Sequence, residues 1–145
     1  DVPSEQRDPE RTPMQWDGTK NAGFSSAAKT WLPVHGNYNE INVEKESKEE
    51  DSLLNAVREL MKIRNEEVSL REGSLEIING VPAGILGYTR IFGAEKATVF
   101  LNFGQQPKQF KIHNSECVFK LSQNDNISNN TLHLSEFSGI ILKTI

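Results

Sequence analysis

Cysteine is nearly absent: Cys117 is the only one in 145 residues. That excludes an internal disulfide framework and any paired CxxC metal or redox motif. At the start of an apolar strand, Cys117 is expected to be a buried structural thiol. Long apolar runs are missing too, and no stretch reaches the roughly 18 residues that a membrane-spanning helix needs. There is no Lys/Arg block, and 16 basic against 20 acidic residues leave a formal charge of −4. That balance argues against nucleic acid or an anionic membrane as the main partner. No GxSxG, P-loop or GxGxxG occurs. His35, His113 and His133 never fall at HxxxH or HxH spacing, so no metal site and no cofactor is expected. The opening Asp-Val-Pro-Ser-Glu-Gln-Arg has neither an initiating Met nor the apolar stretch of a signal peptide. The sequence therefore reads as an excerpt from something longer.

What is present is unevenly spread. Residues 1–72 hold 15 acidic and 10 basic groups, a net −5, and both tryptophans. Residues 73–145 hold 5 acidic and 6 basic groups, a net +1, and six of the seven phenylalanines. Such a shift marks a candidate domain boundary.

The first 49 residues show little helical or alternating periodicity. Asp-Pro-Glu-Arg-Thr-Pro at 8–13, Asp17-Gly18, Asn21-Ala22-Gly23 and His35-Gly36-Asn37 are turn chemistry. Met14, Trp16, Phe24, Trp31, Leu32, Val34, Tyr38, Ile41 and Val43 are scattered among those turns. A disordered tail would not carry that apolar load, so a long ordered loop is expected, and loops of this length are usually functional. Trp16, Phe24 and the Trp31-Pro33 pair are expected to serve packing. Asp51 is the expected N-cap of a helix of about 14 residues. Leu53, Val57, Leu60, Met61 and Arg64 share one face, which Leu54 widens, and that face should bury itself. The acidic cluster Glu46, Glu49, Glu50 and Asp51 sits where the helix dipole favours negative charge.

From residue 74 the pattern becomes strand-like, with candidate strands at 74–78, 84–92, 96–103, 108–113, 117–122, 131–134 and 138–144. The polar stretch 123–130 reads as a separator. Short strands punctuated by turns predict an antiparallel sandwich of about 70 residues. Two Asn-x-Ser/Thr sequons, beginning at Asn126 and Asn129, fall in the polar hairpin and are candidate glycosylation sites. A glycosidase needs two carboxyl groups about 5–9 Å apart across the scissile bond, and spacing nominates no such pair here.

The most specific stretch is 7–34: Arg-Asp-Pro-Glu-Arg-Thr-Pro-Met-Gln-Trp-Asp, then Asn-Ala-Gly-Phe-Ser, then Thr-Trp-Leu-Pro-Val. With Asn37-Tyr38, Ile41-Asn42-Val43, Asp51-Ser52-Leu53 and the Leu60–Arg64 segment, it resembles the α-amylase superfamily of glycoside hydrolases (family 13). The likeness is to the maltase and oligo-1,6-glucosidase branch, most of all insect digestive maltases. It is specific to about residue 65. Beyond that it is looser, through Val99-Phe100-Leu101-Asn102-Phe103 and Ser135-Glu136-Phe137.

The resemblance implies a mixed fold. Residues 1–68 would close a catalytic (β/α)8 TIM barrel, as the loop after its eighth strand and its eighth helix. Residues 69–145 would form the C-terminal antiparallel β-sandwich. Barrel loops of that kind build the active site. By the resemblance, Arg11 matches the arginine that hydrogen-bonds glucose at subsite −1, although it could instead be a structural arginine tying the loop down. Arg7 and Asp8 beside it are weaker substrate-binding candidates. The family's three catalytic carboxylates follow barrel strands four, five and seven, which would all precede Asp1, so no catalytic residue is assigned in this chain. The implied activity is a secreted or extracellular-face retaining α-glucosidase, digestive or salivary in type, or associated with a membrane. Its partners would be an α-glucoside oligosaccharide and the missing N-terminal portion of the barrel. The same motif can persist in the ectodomain of an amino-acid transporter heavy chain, and a catalytically silent maltase-like surface receptor is a third reading.

Overall fold

The computed structural model describes residues 8–144. The chain divides into two compact units, which part between Arg58 and Glu59.

The first unit is mostly ordered loop. A 3-10 turn spans Asp8–Arg11 and a second spans Lys20–Gly23. Helix α1 is the single turn Val43–Glu46, and α2, Leu53–Glu66, begins in this unit. Hydrogen bonds hold the loop where hydrophobic burial does not. Buried Asn42 caps α1: its Oδ1 accepts from the Lys45 N–H at 2.9 Å, and its Nδ2 donates to the Tyr38 carbonyl at 2.8 Å. The α1 N–H groups of Val43 and Glu44 donate to the Gln15 and Trp16 carbonyls, both at 3.0 Å. The open amides of a helix start thus anchor the strand-like stretch that carries Trp16.

The cap of α2 corrects the expectation. Ser52, not Asp51, occupies the position: its Oγ accepts from the Asn55 N–H at 3.2 Å, while Asp51 is exposed. Glu46 Oε2 accepts from the Leu54 N–H at 3.1 Å, completing the cap from a neighbouring turn. Both residue types cap well, and the local fold placed the shorter hydroxyl in reach.

The second unit holds α3, Val68–Glu72, and eight strands: β1 Ser74–Ile77, β2 Ile85–Phe92, β3 Glu95–Asn102, β4 Lys108–Lys111, β5 Ser115–Lys120, β6 Asn126–Ser128, β7 Thr131–Leu134 and β8 Gly139–Thr144. They form a five-stranded sheet in the order β1-β2-β3-β8-β5 and a three-stranded sheet in the order β4-β7-β6. All the pairings are antiparallel, as expected. Phe100, Ile140 and Leu142 of the larger sheet and Leu132 and Leu134 of the smaller share one buried cluster. Gly87 makes room for it, since a Cβ there would lie 2.9 Å from the Phe100 ring. The opposite face of the larger sheet packs Val99, Phe119 and Ile141 against Ile63 and Leu60 of α2.

That contact is made from beside the predicted helix face. Leu53 is 72% exposed, and Val57 and Met61 are also exposed, while Ile63 is buried. At about 100° per residue, Leu60 and Ile63 point to one side of the predicted stripe, which shares only Leu60 with the buried side. Two further departures come from local chemistry. The separator 123–130 contains β6, whose Asn and Ser composition hid it. It exists because Ser128 pairs with Thr131 across a tight turn in which Asn129 (φ 50) and Asn130 (φ 56) are both left-handed. Asn tolerates that geometry, and two-residue hairpins require it. Cys117 is exposed rather than buried, because it lies on β5 at the sheet edge, beside a register shift. Partial desolvation of its sulfur still pushes the thiol pKa up.

Candidate functional site

Within the sequence-specific stretch, residues from Arg11 to Leu32 line an open cleft in the first unit, with a volume of about 510 Å³. Arg11 ends the first 3-10 turn and lines this cleft, with Thr12-Pro13-Met14 following it along the wall. Phe24, Lys29 and Trp31 face it from the other side of the loop. The result is a guanidinium and an ammonium, with hydroxyls at Thr12, Ser25 and Thr30, set among two aromatic rings. Such a surface suits a polyhydroxylated ligand: the rings offer apolar faces and the cations offer donors.

The segment between is shaped by strain that specific residues permit. Asn21, Ala22 and Gly23 are all left-handed, with φ of 54°, 55° and 67°. Asn21 Nδ2 donates to the Ser25 carbonyl at 3.0 Å and the Ala27 carbonyl at 2.8 Å, which turns the chain toward the cleft. A Cβ at Gly23 would lie 2.5 Å from Asp17 Oδ2, so the position needs glycine twice over. Asp17 in turn accepts from the Thr19 hydroxyl at 2.5 Å and the Thr19 N–H at 2.8 Å. The Thr19 side chain first, then its backbone amide, holds the Asp17 pKa below its ordinary value.

Arg11 is exposed, and no described carboxylate lies within 4.0 Å of its guanidinium. Asp8 opens the same 3-10 turn, whereas Arg7 lies outside the described residues. Within this chain Trp16, Phe24 and Trp31 are 50%, 51% and 87% exposed, and backbone and amide hydrogen bonds hold the loop. Asn126 and Asn129 are both exposed, at the start of β6 and in the turn after it. Sequence reasoning missed Asn42, Ser52 and Asn55 as the scaffold behind the loop. Asn55 Nδ2 donates to the Glu46 carbonyl at 3.0 Å and the Glu49 carbonyl at 2.9 Å. Its signal was an amide on an otherwise apolar helix start.

Residues 1–73 match the family described as Alpha amylase, catalytic domain. The chain belongs to the alpha-amylase family. Within that family it is 46% identical over 103 residues to the salivary alpha-glucosidase of Aedes aegypti, covering 70% of this chain and 17% of that one. It is 52% identical over 68 residues to maltase 1 of Drosophila virilis, covering 47% and 11%. The alpha-amylase relative isomaltulose synthase SmuA from Protaminobacter rubrum superposes with a TM-score of 0.85 at 34% identity, over 95% of this chain and 26% of that structure. The chain thus spans less than a fifth of the length of these two curated relatives.

Proposed function

We propose that the intact protein is a retaining α-glucosidase of the maltase type, hydrolysing terminal α-linked glucose from maltose, sucrose or short oligosaccharides. The single observation that carries this reading is Arg11-Thr-Pro-Met-Gln-Trp-Asp17 on an ordered loop, with the arginine exposed at the mouth of a cleft lined by donors and rings. Residues 1–68 close the catalytic (β/α)8 barrel, and residues 69–145 are the C-terminal β-sandwich. The family match ending at residue 73 and the two antiparallel sheets after it support that division. The exposed stripe Leu53-Val57-Met61 would then face the rest of the barrel.

In this mechanism a carboxylate attacks the anomeric carbon while a second carboxyl protonates the leaving oxygen. Water then releases glucose from the covalent intermediate with retained configuration. Both carboxylates come from segments outside this chain. Arg11 contributes recognition: its planar fork can bind a sugar hydroxyl and a carboxylate together, which fixes the glucose at subsite −1. Arg7 and Asp8, its near neighbours in sequence, are weaker candidates for substrate binding.

The intact protein should hydrolyse p-nitrophenyl α-glucoside and release α-glucose first, as followed by proton NMR. Residues 1–145 alone should give no turnover. Initial release of β-glucose, or hydrolysis by the 145 residues by themselves, would overturn the assignment.

The protein is further proposed to be secreted, with N-linked glycans on the β6–β7 hairpin. Asn126 and Asn129 are exposed there, and the hairpin is polar enough to carry a glycan into water. Expressed in a secretory eukaryotic host, the protein should lose one glycan of mass with Asn129→Gln and a second with Asn126→Gln, read by intact-mass spectrometry. Identical masses for the wild type and the double variant would rule the sites out.

A further inference from the structure

The chain crosses between the two sheets of the second unit three times at the closed end, from β3 to β4, β5 to β6 and β7 to β8, and once at the other. Side-chain hydrogen bonds pin the closed end. The connection from β1 to β2, residues 78–84, is held differently. The Ile78 N–H donates to the Gly87 carbonyl at 2.9 Å and the Ile85 N–H to the Pro82 carbonyl at 3.0 Å. Ile78 and Val81 also pack against the buried cluster. Around these anchors, the N–H groups of Asn79, Gly80 and Val81 make no backbone hydrogen bond among the described residues. Asn79 and Gly80 are exposed, and a Cβ at Gly80 would meet nothing within 4 Å. Gly80 has a φ of 82°, which glycine adopts without strain.

Asn79-Gly80 is the only Asn-Gly step in the sequence. It sets a primary amide beside a main-chain nitrogen that no side chain shields and no backbone carbonyl holds. Elsewhere the fold withholds that nitrogen. After Asn21, Ala22 is buried and its N–H donates to the Thr19 carbonyl at 2.9 Å. After Asn124, Asp125 is buried and its N–H donates to the Ser122 carbonyl at 3.1 Å. After Asn55, the Ala56 N–H is spent on the Ser52 carbonyl at 3.0 Å.

From this contrast we infer that Asn79 is a site of self-modification, deamidating through a succinimide to aspartate and isoaspartate. Solvent base takes the Gly80 amide proton, and the nitrogen attacks Asn79 Cγ. An N–Cγ bond forms, the Cγ–Nδ2 bond breaks, and the amide nitrogen leaves as ammonia with a proton from water. Water then opens the ring at either carbonyl. Opening at Cγ gives aspartate. Opening at the main-chain carbon gives isoaspartate, whose chain runs through Cβ and Cγ. The sum is one water consumed and one ammonia released, with no change of oxidation state. Either product adds one negative charge to the formal −4, beside the inter-sheet cavity that Asn79 and Gly80 help to line. Isoaspartate also lengthens the main chain by one carbon between Ile78 and Val81. Its free α-carboxylate makes it a substrate for a protein-repair carboxyl methyltransferase. The reaction uses no residue of the Arg11 cleft, so it stands whether or not the protein is a glucosidase.

Trypsin releases residues 72–90, in which Asn79 is the only asparagine. Incubated folded at neutral and at mildly alkaline pH, the intact protein should convert this peptide into two products. Each should be about one mass unit heavier, and both should form faster at the higher pH. Isoaspartyl methyltransferase with labelled S-adenosylmethionine should then methylate the incubated protein. Asn79→Gln, an exposed change that keeps the amide but not the ring size, should lose most of that methylation. The folded protein should modify Asn79 within about tenfold of the rate in a synthetic 72–90 peptide, because no local opening has to precede the attack. Slowing by more than about tenfold against that peptide, or equal methylation of wild type and Asn79→Gln, would sink the proposal.

Discussion

Arg11→Ala in the intact protein should lower kcat/KM on maltose by about a hundredfold or more, with the thermal midpoint unchanged. The magnitude follows from removing a charged donor that would hold both a sugar hydroxyl and a carboxylate. Losing one partner from such a desolvated set costs roughly 2–5 kcal/mol. The unchanged midpoint follows from geometry: Arg11 is exposed and forms no ion pair among the described residues. Its backbone ends a 3-10 turn, which alanine can occupy equally well.

Arg11→Lys separates recognition from simple charge. A lysine keeps the positive charge but not the flat fork of donors, so it should recover less than about a tenth of the lost activity. Full recovery with lysine would mean that Arg11 contributes field rather than geometry. Near-normal kinetics for Arg11→Ala would remove it from the site and leave it the structural arginine that its residue type also permits.

The sequence was most legible where one signal dominated. Alternation in Ile85–Phe92 and apolar density in Val99–Leu101 marked β2 and β3 to within a residue or two. Asn21 and Gly23 announced the left-handed turn as residues that tolerate one, and Ala22 between them follows. Legibility was partial where one helix presents two apolar sides. The exposed Leu53-Val57-Met61 stripe has the stronger periodicity, yet Leu60 and Ile63 are the residues that meet the sheet. Cys117 looked like a core residue because its neighbours are apolar, but burial depends on which strand ends at the sheet edge, and pairing order is not written in local pattern. At the candidate site, the motif identified Arg11, while the roles of Asn42 and Asn55 in holding the loop depend on contacts that local pattern does not encode.

The same limit hid Asp125, whose removal should be the most damaging single change to stability. It lies in the polar stretch 123–130 and is only 1% exposed. Its Oδ1 accepts from the Ser135 N–H at 2.7 Å, and its Oδ2 accepts from the Ser138 hydroxyl at 2.5 Å and, more weakly, from the Ser122 N–H at 3.4 Å. Ser122 and Asp125 lie on the crossing from β5 to β6, and Ser135 and Ser138 on that from β7 to β8. One carboxylate therefore ties two of the three crossings at the closed end. Buried Asn102 ties the third, donating from Nδ2 to the Gln106 and Ser135 carbonyls at 2.9 and 2.8 Å. Asp125→Ala would strand a part-buried amide and a buried hydroxyl, each costing about 1–3 kcal/mol when left unmade. A loss of about 3 kcal/mol is expected by urea unfolding of the intact protein, with activity per folded molecule retained. Asp125→Asn keeps one acceptor oxygen and nearly the same volume, so it should lose about half as much, and it remains measurable if the alanine variant does not accumulate. If both variants unfold within about 0.5 kcal/mol of wild type, the crossings are held by sheet packing alone.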